Sequence, residues 1–240
     1  MEDLAMFYMD CGEEFLEAAH QMMTEVLHQR KTRLGKEQPF TLLAICNLAR
    51  VKSALGRHIE AEQLFLNAIP IAERSLGENH FGTLAGKTHF AVVLVRQKRY
   101  TEAEEVFEKV VEKQRYASAA REDGDHPDRI FALWHLVECY ELHGKFDEAL
   151  LTVAELERVT ETIGGSGLGK LHPIRQKMAK KRQASGEGSM RSATDIRPAR
   201  RGSSFQRLAH RDCCVSKHDL MRRYVLSQNR TRMSLNCITW

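Results

Sequence analysis

The sequence predicts an all-α solenoid of antiparallel helix pairs, on three observations: a long repeat, a helical apolar period inside each copy, and turn residues between the two halves of each copy. The repeat, about 42 residues long, carries Leu34-Gly35 onto Leu76-Gly77, Thr41-Leu42 onto Thr83-Leu84, and Arg57 onto Arg99. It also carries Ala61-Glu62 onto Ala103-Glu104 and Phe65 onto Phe107. A third copy follows an insertion of four residues, so that Arg99-Tyr100-Thr101-Glu102-Ala103 becomes Lys145-Phe146-Asp147-Glu148-Ala149. Units of this length bury apolar faces only against their neighbours, and the array they build presents one extended surface.

Each copy reads as two helices. Between Phe40 and Leu55, Leu42, Ile45, Leu48, Ala49 and Leu55 recur at three- and four-residue intervals, until Gly56 breaks the pattern. From His58, Ala61, Leu64, Phe65, Ala68, Ile69 and Ala72 restore it. The second copy has Leu84, Ala91, Leu94 and Val95, a turn near Lys98, then Ala103, Val106, Phe107, Val110 and Val111. The third has Ile130, Leu133, Leu136, Val137 and Tyr140, a turn at Gly144, then Ala149, Leu150, Val153 and Leu156. Ala49 with Ala61, Ala91 with Ala103, and Val137 with Ala149 fall where the helices of a pair approach closely. An incomplete copy over residues 1–37, begun partway through its first helix, precedes the array at 38–182. A basic tail at 183–240, poor in apolar periodicity and expected to be disordered, follows it.

Composition excludes several function classes. The net charge of +4 conceals an asymmetry, because the tail holds eleven Lys or Arg against four carboxylates while the first 182 residues hold 25 against 28. No apolar run reaches membrane-spanning length, and the acidic N-terminus does not resemble a secretory signal. A cytoplasmic address is expected, with the basic tail leaving the nucleus open. The six cysteines form no zinc-type spacing and read as reduced thiols.

Residues 164–170, Gly-Gly-Ser-Gly-Leu-Gly-Lys, superficially fit a phosphate loop. Leu171 stands where the magnesium-binding hydroxyl belongs, and a repeat helix precedes the glycines in place of a strand. They read as an inter-repeat loop. The histidines follow the repeat: His89 and His135 match Asn47, and His80, His126 and His172 each precede a first helix. No Ser-His-Asp or Cys-His arrangement has local support, so neither catalysis nor a metal or other cofactor is expected.

Asn47-Leu48-Ala49, the run Gly56 to Glu62, the run Leu76 to His80, His126-Pro127-Asp128 and the run Gly144 to Ala149 resemble tetratricopeptide repeats of the 42-residue kinesin-light-chain type. The resemblance covers residues 38 to 171 and implies a right-handed superhelix whose first helices line a concave groove. Carried over position by position, the groove holds Leu43, Cys46, Asn47 and Arg50, then Ala85, Thr88, His89 and Val92, then Phe131, Trp134, His135 and Glu138. Only Asn47 and Arg50 conform to the pattern by which members of the family hold a C-terminal carboxylate. An extended internal peptide with apolar anchors is therefore the expected ligand. The expected protein is a non-enzymatic interaction scaffold with no small-molecule substrate and no membrane partner. Two alternatives stay open. Such arrays also occur at the C-terminus of fungal nucleotide-binding receptor-like proteins, which would make this chain a shortened form of a longer sensor or regulator. The basic tail could instead serve nucleic-acid association, a partner that the array itself does not call for.

Overall fold

In the computed structural model, residues 1–119, 127–162 and 171–184 are described. The chain divides into two units, Met1–Ser189 and Met190–Trp240. The second unit, the glycine-rich segment 164–170, His126 and almost all of the expected tail lie outside the described residues.

The first unit is a succession of helix pairs, with no strand among the described residues. Helix α1 (Glu2–Cys11) and a short 3-10 turn (Glu13–Phe15) lead into α2 (Leu16–Leu34), then α3 (Pro39–Ala54) pairs with α4 (His58–Leu76). Helix α5 (Phe81–Arg96) pairs with α6 (Tyr100–Ala119), α7 (Pro127–His143) with α8 (Phe146–Thr162), and α9 (Leu171–Ala184) begins a further unit. At ten residues, α1 is shorter than the sixteen of α3 and α5.

The turns inside the pairs close by one chemistry. In the second full unit the N–H of Arg99 donates to the carbonyl of Leu94 and that of Lys98 to Val95, and in the third Lys145 donates to Tyr140 and Gly144 to Glu141. In the first, Arg57 donates to Lys52 and Gly56 to Ser53. This double closure satisfies the last helical carbonyls and requires a left-handed residue. Gly56 (φ 77°) and Gly144 (φ 82°) supply it, but the middle unit uses Lys98 at φ 64°.

Small residues let the paired helices approach. Ala49, Ala61, Ala91, Ala103 and Ala149 are fully buried and Val137 nearly so. Around them Phe65, Phe107, Leu84, Leu94, Leu133 and Leu156 fill the interior. Ion pairs tie each unit to the next: Glu62 of α4 accepts from Arg99 (2.6 Å) and Gln97 (2.8 Å), and Glu104 of α6 accepts from Lys145 (2.6 Å) and His143 (2.7 Å). Glu155 of α8 joins Arg115 of α6 and Arg129 of α7.

Candidate partner-binding groove

The curvature follows from which helices touch. Helix α1 meets α3, α3 meets α5 and α5 meets α7, whereas α2, α4, α6 and α8 make no comparable contact with one another. The first helices therefore form the inner wall and the second helices splay around it.

At the start of this wall, Asn47 is nearly buried and fully engaged. Its Nδ2 donates to Glu2 Oε1 at 2.9 Å, and its Oδ1 accepts from Arg50 Nη1 at 3.1 Å. Glu2 in turn takes two hydrogen bonds from Arg30 of α2, whose guanidinium also donates to the Phe40 carbonyl and lies over the Phe40 ring. The chain's own carboxylate thus occupies the polar end of the groove.

Farther along, aromatic rings cross from helix to helix. His89 of α5 meets the edge of Phe131 of α7 at 5.0 Å, and Phe131 meets His135 at 4.5 Å. His135 stacks on Phe107 and places Nδ1 3.0 Å from Glu138 Oε2. Burial holds the His89 imidazole well below its ordinary pKa, and Arg50, His135 and Arg96 add electrostatic pressure in the same direction. Arg96 donates to Ser53 Oγ at 3.0 Å and so ties α5 back to α3. Val92 and Trp134 are half-buried and pack on the apolar cluster of the later units, with Trp134 keeping part of its surface open.

The sequence-predicted residues thus separate by depth. Leu43 is exposed at 37% and Arg50, His89, Val92, Phe131, Trp134 and Glu138 are partly accessible. Thr88 is buried, and its hydroxyl donates to the Leu84 carbonyl, so it offers a ligand nothing in this conformation. Cys46 points toward α5, where Gly86 has no side chain, and burial pushes its thiol up to about 11. Asn47 and His135 face the wall but are held by Glu2 and Glu138. The sequence reading missed Glu2, Arg30 and Arg96. Arg96 occupies the register of Ala54, and Glu2 belongs to the irregular first copy, so neither carries a repeat signal.

The described residues hold no group of three or more His, Cys, Asp or Glu placed to bind a metal. No described helix is long and apolar enough to cross a membrane.

Residues 40–115 match the tetratricopeptide repeat family model. Two crystal structures of a Podosopora anserina protein, described as kinesin light chain nearly identical TPR-like repeats, are similar to this chain. Each is 25% identical to it with a TM-score of 0.59, over 78% of this chain and 85% and 86% of theirs. No match was found among curated proteins. The fold is that of a tetratricopeptide-repeat solenoid, and its structural neighbours are kinesin-light-chain-like.

Proposed function

We propose that this tetratricopeptide-repeat solenoid is a non-enzymatic scaffold that binds an extended segment of a partner protein in its concave groove. One observation carries the reading: α3 packs on α5 and α5 on α7, with Leu43 and Arg50, then His89 and Val92, then Phe131, Trp134 and Glu138 on these first helices and the His89–Phe131 ring contact crossing from α5 to α7. A ligand lying along this wall can touch all three units. The wall is mixed, with apolar anchors beside a few charged groups, which suits an internal peptide segment better than a free C-terminus. Trp134 is the expected anchor, because a partly open indole offers a large apolar face and one N–H donor.

The test is to select peptides from a random displayed library on the full chain and titrate one selected peptide into variants. Trp134→Ala should weaken binding by about 2 kcal/mol, roughly thirtyfold, with little change in thermal stability. A large loss of stability instead would assign the indole to the core. Combined Arg50→Ala and His89→Ala changes should also weaken binding. Unchanged affinity in all these variants would move the partner to the convex face, the loops or the tail.

A further inference from the structure

The last turn of α2 stands clear of the array. Its four consecutive residues Lys31, Thr32, Arg33 and Leu34 are all exposed, and after Gly35 so are those from Lys36 to Phe40. Four successive residues complete a turn, so no neighbouring helix covers this one. The knuckle is cationic. Arg30 is paired with Glu2 and Glu37 with Arg74, but among the described residues no carboxylate reaches the side chains of Lys31, Arg33 or Lys36. The repeat does not account for these charges, because the register of Lys31 and Lys36 holds Glu73 and Glu78 in the next unit, where both carboxylates face Lys87.

Cations in a last turn also complement the helix dipole, but the dipole does not call for apolar side chains beside them. Leu34 is exposed at 47% and Phe40 at 62%, whereas Leu76, at the register of Leu34, packs against the cluster of Leu42, Ala68 and Ala72. The next unit leaves Phe81 exposed at 61% at the start of α5. Successive helices alternate in direction, so the loops 35–38 and 77–80 that join one pair to the next emerge on the same edge of the array. That edge presents large apolar side chains beside three uncompensated cations, a combination that gains by being covered.

We propose that this edge docks on the surface of an anionic lipid bilayer, with Lys31, Arg33 and Lys36 at the headgroups and Leu34 and Phe40 entering the boundary between headgroups and acyl chains. Two features favour lipid over a nucleic-acid backbone, the other polyanion that three cations could meet. Leu34 is aliphatic and cannot stack on a base, and the Arg30 guanidinium already lies over the Phe40 ring, 5.9 Å from its centroid. A projecting knuckle also offers no groove in which to hold an acidic peptide. The expectation of no membrane partner rests on the lack of a spanning segment, and no described helix is long and apolar enough to cross a bilayer. A surface contact needs none. It uses none of the proposed groove residues, so it stands or falls separately from peptide binding.

Cosedimentation of the full chain with sucrose-loaded vesicles tests this, comparing pure phosphatidylcholine with vesicles holding about 30% phosphatidylserine, at about 100 mM salt. The protein should bind the anionic vesicles, leave the neutral ones in place, and bind less at about 500 mM salt because screening shortens the reach of the cations. Lys31→Gln/Arg33→Gln/Lys36→Gln should weaken binding about a hundredfold, at roughly fivefold per cation. Leu34→Ser/Phe40→Ser should weaken it about tenfold. In Phe40→Trp, anionic vesicles should blue-shift the emission beyond that of the unaltered protein, and brominated acyl chains should quench it. All five positions are exposed, so the melting curves should match that of the unaltered protein. A chain that ignores the anionic vesicles would overturn the proposal. Binding that survives the triple change within about twofold would also overturn it, assigning the attraction to the basic tail. Single-stranded RNA bound more tightly than the vesicles, through the three cations and without Leu34 or Phe40, would overturn it in favour of a nucleic-acid backbone.

Discussion

The junction between α2 and α3–α4 can be set against the two that follow it. At the later junctions a glutamate on the second helix, Glu62 or Glu104, takes hydrogen bonds from two side chains of the next unit's turn. At the first junction the same register position is His20, and Arg57 reaches past it to Glu17 at 2.7 Å. Both partners of that pair are well exposed, so it contributes little, typically between 0 and about 1 kcal/mol. Glu104, by contrast, is almost fully buried. The alanines beside these positions, Ala19, Ala61 and Ala103, are all fully buried. Packing repeats faithfully along the array while the electrostatic tie does not.

Four measurements would break or sharpen that contrast. Ala19→Leu and Ala103→Leu should each cost about 2 to 3 kcal/mol in denaturant unfolding, because both overfill a tight helix contact. Clearly unequal costs would place the difference between junctions in packing. Glu104→Gln should cost about 2 kcal/mol by leaving His143 and Lys145 without a charged acceptor, whereas His20→Gln should change stability by less than about 0.5 kcal/mol. Equal effects would erase the electrostatic distinction.

Lys98→Gly should stabilise by about 1 kcal/mol, since a β-carbon at φ 64° is strained where Gly56 and Gly144 are not. A lower melting temperature would mean that the Lys98 side chain contributes more than its backbone costs. His20→Glu should gain about 0.5 kcal/mol by giving Arg57 the acceptor that Arg99 and Lys145 already have.

That last variant should also change the acid response. Burial first, then Lys52 and Arg57, lower the His20 pKa in the folded state. The unfolded chain, titrating near 6.5, binds this proton more readily, so stability falls as pH drops below about 6.5 and levels off beneath the folded pKa. His58 and His89 are lowered as well, both mainly by burial. Between pH 7.5 and pH 5.5, His20→Glu should remove only part of the loss. An unchanged slope would show that His20 does not contribute to it.

What could be read from the sequence was what the repeat register makes local. The helix pairs, the turn at Lys98 and the close alanine contacts each follow from spacing within one copy, and the structure places them there. Depth within the groove was less legible. Whether a first-helix side chain stands open depends on the residue facing it from the next helix: Cys46 turns toward α5 beside Gly86, and Thr88 satisfies its hydroxyl inside its own helix. Glu2, Arg30 and Arg96 act through long side chains that reach across units, and no periodicity records such a reach.

The contact between successive first helices, without its counterpart among the second helices, gives the array a mechanical character. Each junction is a wedge whose thin edge lies at the groove. Each second helix also packs on the first helix of the next unit, so the curvature is fixed by that packing together with the spacing of the second helices. Junctions in series add their rotations, so a few degrees at each becomes a large change of arc from α1 to α9. The arc of the wall formed by α1, α3, α5 and α7 is therefore set by how far apart the second helices stand.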